Sequence, residues 1–283
     1  MLVIFQPLRF QRLSSSYAVG LAAQQGLTVS YDSNVNSRPL IGIIGFGAFG
    51  RLTARHLRPY FRMCAYDPVR PPGDWAEVHD VMLTDLPSAA NCPVVILAMP
   101  VNRLEESVAA INPYLRLGSL VVDVGSVKMV PVEIMRRGLP EHVDIVATHP
   151  LFGPQSARDG INGLKIAICP IRGDRGMRLA AFLRKRLGLN VVMTTPEAHD
   201  REAAIVQGLT HLIAKVLVQM EPLPTRMTTR SFDLLVQAIA MVRDDAPEVF
   251  QAIERSNPYS REVRRRFFEL ANALDAELGT ISS

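Results

Sequence analysis

Residues 41–50 read Ile-Gly-Ile-Ile-Gly-Phe-Gly-Ala-Phe-Gly, so that Gly45, Gly47 and Gly50 form G-x-G-x-x-G. An apolar run over residues 40–44 suits a buried parallel strand and residues 52–57 suit the opening of a helix, which puts the glycines at a strand-to-helix turn. At such a turn the first glycine permits the tight reversal and the second lets the backbone approach a pyrophosphate. The third lets helix and strand pack closely, and the helix N-terminus adds N–H donors and the positive end of a dipole. A second apolar run, residues 63–66, ends at Asp67, 22 residues after Gly45, about where a ribose-binding carboxylate is expected. The cofactor expected is therefore NAD. Arg70 is placed to meet the 2′-phosphate of NADP, but Asp67 repels that phosphate, so NADP is the lesser fit. The cofactor-facing residues are Gly45, Phe46, Gly47, Ala48, Phe49, Gly50 and Asp67, with Pro100 beyond a later apolar run.

From residue 39 onward strand-like and helix-like segments alternate: strands at 94–98, 120–124 and 143–147, helices at 104–111 and 131–137. Alternating units of this kind imply an α/β fold, a Rossmann-type doubly wound parallel sheet. Residues 164–169 and 191–193, with a helix over 177–186 between them, complete its far edge. After Thr195 apolar residues recur only at helical spacing, as in Ile205, Leu209, Leu212, Val216 and Met220. The chain thus divides into an extension (1–38), an NAD-binding domain (39–194) and an all-helical dimerisation and substrate domain (195–283). Helices at 231–242, 247–253 and 261–278 have no sheet to cover, and broad apolar faces in so short a segment favour burial against a second copy of the chain.

With 48% apolar and 20% charged residues the composition is that of a folded globular protein. The longest apolar run, near residues 93–101, is about half of what spans a bilayer, so no membrane segment is expected. Three widely spaced cysteines, Cys64, Cys92 and Cys169, read as core thiols in a reducing compartment rather than as a disulfide or metal set. A net charge of +4, with the densest basic run at 261–266 in a helical pattern, reads as a solvated face and not as a nucleic-acid surface. Residues 1–38 have no acidic residue before Asp32 and carry Ser14, Ser15 and Ser16, the composition of a loose tail or a transit-like peptide. The expected location is cytoplasmic, or plastid-type if that segment is a transit peptide.

In an open α/β sheet the ligand crevice lies beyond the carboxyl ends of the strands. Two such ends carry chemistry: 120–124 runs into Gly125-Ser126-Val127-Lys128, and 143–147 into Thr148-His149-Pro150-Leu151-Phe152-Gly153-Pro154. If these strands are neighbours they lie about 4.8 Å apart, which brings a hydroxyl and an imidazole within hydrogen-bonding reach. Facing a nicotinamide, that pair can take a proton from an alcohol during hydride transfer. Plainer readings exist for each: Ser126 as a helix N-cap, His149 as a loop-held structural histidine, Lys128 as a solvated lysine.

The run 123–128, the run 148–154, and His199-Asp200 followed by His211, all behind the glycine turn, resemble the prephenate and arogenate dehydrogenase family over roughly residues 40–270. The resemblance implies a nucleotide-binding domain, a helical dimerisation domain and an active site between them. It implies His149 as the base on a ring hydroxyl, Ser126 as a contact to the same hydroxyl, and His211 as a substrate contact. Ala204, Gly208, His211 and Lys215 share one helical stripe, with Lys215 able to offset a carboxylate, and Lys128 and Gln155 complete the expected substrate set. His199, pointing about 120° away from His211 on a straight helix, reads as structural. Two departures concern the substrate. An arginine usual in the helix over 231–242 is replaced by Ala240 and Met241 with Arg243 displaced, and Gln155 stands where glutamate is usual. The activity implied is NAD-dependent oxidative decarboxylation of prephenate to 4-hydroxyphenylpyruvate in tyrosine biosynthesis, with arogenate as a second substrate. The alternatives are an arogenate dehydrogenase, a 3-hydroxyacid dehydrogenase-like enzyme with Lys215 as base, and a non-catalytic NAD-binding regulator.

Overall fold

The computed structural model describes residues 38–69 and 81–280. The N-terminal extension up to residue 37 and Arg70, on which the NADP alternative turns, lie outside the described residues. Eight strands form one sheet: β1 (Leu40–Ile44), β2 (Arg62–Tyr66), β3 (Val81–Leu83), β4 (Val94–Leu97), β5 (Leu120–Asp123), β6 (Asp144–Pro150), β7 (Lys165–Arg172) and β8 (Asn190–Met193). Their order is β3-β2-β1-β4-β5-β6-β7-β8. The order reverses between β1 and β4, and that is where the glycine turn leaves the sheet, the crevice in which doubly wound folds bind ligands.

The first six strands run parallel, but β7 pairs antiparallel with β6, and β8 runs parallel to β7. The expectation of a parallel sheet is corrected there. The connection fits this: residues 151–164 carry no helix of the kind that usually makes a parallel crossover, and an antiparallel neighbour needs none.

Both faces of the sheet are covered, which is why its strands read as continuous apolar runs. On one face α1 (Ala48–Leu57) and α5 (Arg175–Leu187) pack Ala54, Leu57, Ala180 and Leu183 against Ile41, Ile43, Val122 and Ile168. On the other, α2 (Leu86–Ala90), α3 (Leu104–Ile111) and α4 (Met129–Gly138) meet Ile44, Val95, Leu97, Val121 and Ile145. Strand residues alternate between these two sets, as the pleat requires.

The helical half opens with α6 (Pro196–Gln219). Its start is set locally: the Thr195 hydroxyl accepts from Ala198 N at 3.2 Å and Pro196 occupies the first turn, a strong start signal. There follow α7 (Arg230–Val242), α8 (Pro247–Gln251), a π-helical turn (Ala252–Ser256) and α9 (Ser260–Thr280). No helix among the described residues is long and apolar enough to cross a membrane.

Candidate active site

The glycine turn has the backbone its sequence demands. Gly45 has φ +94°, and a Cβ there would lie 2.7 Å from the Ala98 carbonyl oxygen. A Cβ on Gly50 would lie 2.2 Å from Gly45 O, so helix and strand meet at a distance only glycine allows. Gly47, by contrast, caps α1 in open space, and the first turn of α1 carries no acidic side chain. An anion can therefore approach the free N–H groups without repulsion. Asp67 locks the turn from β2: Phe46 N donates to its Oδ2 at 2.7 Å and Val69 N to its Oδ1 at 3.0 Å. Each oxygen keeps a second lone pair for a ribose hydroxyl. Ala48 is exposed, Phe46 is buried beneath the turn, and the half-buried Phe49 lies 6.4 Å, centroid to centroid, from Phe152. Pro100 is exposed beyond the end of β4. The residues present fit a dinucleotide.

At the next strands, β5 and β6 are neighbours with Asp123 opposite Ala147, so the Ser126 turn and His149 leave the sheet side by side. The fully buried Lys128 pairs its ammonium with Asp123 and donates to Thr148 O at 2.6 Å. Gly125 N and Thr148 N donate to the Asp123 carboxylate at 3.1 and 3.2 Å. Burial pushes the Asp123 carboxyl up, against the pull of Lys128 and these donors. Lys128 is thus placed inside the structure as a brace between β5 and β6, and its side chain is enclosed where substrate contact was expected. Ser126 is half-buried in the turn, and it does not cap α4. That cap comes from α6, where the buried Asp200 accepts from Lys128 N at 2.7 Å and Met129 N at 2.8 Å.

Asp200 also holds His199, whose Nδ1 lies 2.8 Å from Asp200 Oδ1, while His199 Nε2 lies 2.8 Å from His149 Nδ1. The partners assign the protons. A carboxylate only accepts, so His199 Nδ1 carries hydrogen, its Nε2 accepts from His149 Nδ1–H, and His149 Nε2 is left as an acceptor. Burial, reinforced by the neighbouring His199 ring and the Lys128 ammonium, holds His149 well below the ordinary imidazole value of 6.5. The structure therefore presents a neutral imidazole with its lone pair at Nε2. His199, read from sequence as structural near the helix N-terminus, lies buried in the first turn of α6, and its partner is His149 on β6.

His211 lies further along α6, its Nδ1 3.0 Å from Gln207 O and its Nε2 3.2 Å from Asp245 Oδ2. The other oxygen of Asp245 lies 3.6 Å from where a Cβ on Gly153 would stand, so this carboxylate faces the loop after His149. Asp123, Asp200, Gln207 and Asp245 were missed from sequence as site residues; the acidic pair Asp244-Asp245 just before Pro247 was the available signal for the last. Lys215 is exposed, 5.7 Å above the Phe250 ring, and Gln155 is exposed on the loop of residues 151–164. Arg243 is engaged in an ion pair with Glu221 and is not a free anchor for a substrate carboxylate.

The family model for the prephenate dehydrogenase nucleotide-binding domain matches residues 73–206. Arogenate dehydrogenase 1, chloroplastic, of Arabidopsis thaliana is 28% identical over 261 residues, 88% of this chain and 41% of its own length. The probable arogenate/prephenate dehydrogenase of Methanocaldococcus jannaschii is 26% identical over 195 residues, 65% of this chain and 43% of its own. The chain thus spans about two fifths of the length of both relatives. Prephenate dehydrogenase from A. aeolicus, solved with hydroxyphenyl propionate and NAD+, has the same fold: TM-score 0.68 at 20% identity, covering 86% of this chain and 92% of that one. Synechocystis arogenate dehydrogenase gives TM-score 0.59 at 18% identity, covering 85% and 93%.

Proposed function

We propose, from the premise that this chain belongs to the prephenate and arogenate dehydrogenase family, that it catalyses the NAD-dependent oxidative decarboxylation of prephenate to 4-hydroxyphenylpyruvate, with arogenate as a second substrate. The observation that carries the reading is the buried neutral His149, its acceptor nitrogen fixed by His199 and Asp200 beside a turn that fits a dinucleotide. Gly45, Gly47, Gly50 and the N-terminus of α1 would hold the pyrophosphate and Asp67 the ribose. NAD, when bound, supplies the hydride acceptor. His149 Nε2 takes the ring hydroxyl proton, with Ser126 on the same hydroxyl, and His199 with Asp200 disperses the charge that His149 gains. Oxidation of the carbinol leaves a dienone vinylogous to a β-keto acid, which loses its ring carboxylate as carbon dioxide and becomes aromatic. Lys128 and Asp123 hold the strand ends and exclude water below the base. His211, Lys215 and Gln155 serve the substrate's other end.

Asp245 favours the second reading, in which arogenate is the preferred substrate, because a carboxylate beside His211 suits an ammonium better than a keto group. The reading also includes a homodimer, no nucleic-acid partner, and a cytoplasmic setting, or a plastid one if residues 1–38 act as a transit peptide. Three buried free thiols support a reducing compartment. The test is NADH formation, followed by absorbance, with prephenate and arogenate in parallel, and with NADP in place of NAD. Turnover of at least one ring substrate with NAD is expected; turnover of neither overturns the assignment.

A further inference from the structure

The side chain of Gln207, on α6, lies with its amide Nε2 3.3 Å from His149 Nε2, while its backbone oxygen faces His211 Nδ1 at 3.0 Å. Its Oε1 is buried and meets no donor among the described residues. The amide's orientation follows from the relay: because His149 Nε2 is an acceptor, the donor end must face it, and reversing the amide would set two acceptors against each other. The side chain therefore makes one long hydrogen bond and leaves its carbonyl idle, so little holds it in place. The nitrogen it covers is the one that must receive the substrate's proton. A ligand hydroxyl reaching the base has to displace this amide.

We propose that Gln207 is a substrate-positioning residue: its amide lies against the His149 lone pair, yields that nitrogen to the incoming ring hydroxyl, and then donates to the oxygen of that same hydroxyl. The inference rests on the reaction proposed above. In this arrangement the O–H points at His149 Nε2 while the oxygen accepts from Gln207 Nε2. As the proton moves to His149 the oxygen gains negative charge, and the amide donor is worth more in the transition state than in the ground state. The Oε1 makes no hydrogen bond among the described residues, so the amide can turn toward the hydroxyl without breaking another one.

The titratable and charged groups around His149 are His199 and Asp200 on α6 and Lys128 and Asp123 at the sheet end, with His211 and Asp245 beyond Gln207. The test leaves all of them in place and replaces Gln207 by Glu, Met and Asn. The His149 imidazole is titrated by NMR in the protein without ligand, and kcat and KM are measured against pH. A carboxylate this close favours the imidazolium by about 1–3 pH units, so Gln207→Glu should move both the His149 titration and the acid limb of kcat/KM to higher pH. Gln207→Met removes the donor and should lower kcat by about tenfold, a modest share of what a whole acid–base group supplies, with NAD affinity unchanged. Gln207→Asn, whose amide is one methylene short, should behave like Gln207→Met. His149 titrating as in the unaltered protein in all three variants, with kcat unmoved, overturns the proposal. Titration that shifts as expected in a protein oxidising neither prephenate nor arogenate overturns the reaction, and the positioning role with it, while leaving the amide contact measured.

Discussion

His149 combines two properties that a proton acceptor needs, a neutral ring and a fixed tautomer, and both come from residues it touches. His149→Asn keeps a donor for His199 but offers no base, so kcat should fall by about 10² to 10⁴ while NAD affinity by fluorescence titration stays nearly unchanged; wild-type turnover would remove histidine from the mechanism. The pH dependence has a definite sign. Because burial holds the folded-state value well below 6.5, the base remains unprotonated and kcat/KM stays level as pH falls through 6.5, declining only at lower pH. The unfolded chain takes up a proton that the folded one refuses between those limits, so this group's contribution to stability is full above 6.5 and is lost as pH falls. Paired pH profiles of kcat/KM and of thermal melting check both. On the proposed second reading, Asp245 bears on the substrate choice. Losing a charge-assisted hydrogen bond costs about 1.5–3 kcal/mol, so Asp245→Asn should lower kcat/KM for arogenate relative to prephenate by roughly tenfold or more, and Gln155→Glu should move the ratio the opposite way. A ratio unmoved by Asp245→Asn would show that this carboxylate does not read the side chain.

At the scale of elements, two junctions link local backbone to the site. Asp67 ties β2 to the glycine turn through Phe46 N and Val69 N, so Asp67→Ser should weaken NAD binding twice over, by losing the ribose acceptor and by loosening the turn, while relieving the repulsion of NADP. Binding isotherms for both nucleotides test it, and an unaltered protein that prefers NADP would refute the role given to Asp67. Asp200 serves three donors, Lys128 N, Met129 N and His199 Nδ1. Asp200→Asn offers one acceptor oxygen instead of two, so a buried donor is stranded at about 1–3 kcal/mol. A lowered Tm together with a lowered kcat is expected; a lowered Tm with full turnover would mean that the cap matters and the relay does not. The parallel strands and the glycine turn were legible in the chain because strands buried on both faces read as apolar runs, and because Gly45 and Gly50 answer purely local contacts. β3 and α2 were not, being too short to show a period. The direction of β7 is set by the residues 151–164 that precede it, not by its own composition. His149 was legible as the polar end of a strand. Its partners were not: His199 and Gln207 reach it from 50 and 58 residues away, and Asp200 and Asp245 stand behind His199 and His211 in turn, and no local pattern encodes that approach.

For the whole molecule, the helical half presents on its surface what the sheet half buries. On α6 Val206 is 67% exposed, on α7 Met241 is 50%, and on α9 Leu270, Leu274 and Leu278 are 53, 56 and 58%. Those three leucines and Phe267 recur at the spacing of one helix face, and a face of this kind is ordinarily buried. The basic run on the same helix is partly spent internally, with Arg264 paired to Glu254 and Arg265 to Glu262 and Glu269, which leaves the apolar stripe as the dominant feature of α9. Burying a leucine fully stabilises by about 1.5–3 kcal/mol, and a symmetric pairing buries each one twice. A second copy of the chain is therefore the expected cover, provided the contact reaches the roughly 1,000 Å² that a specific interface needs. Light scattering at micromolar concentration should give twice the 31.2 kDa chain mass, and Leu274→Arg, which forces a charge into the contact from both sides, should return the single-chain mass with the far-UV circular dichroism preserved. An unaltered protein that scatters as one chain, or a Leu274→Arg variant that still pairs, would show that α9 does not form the contact.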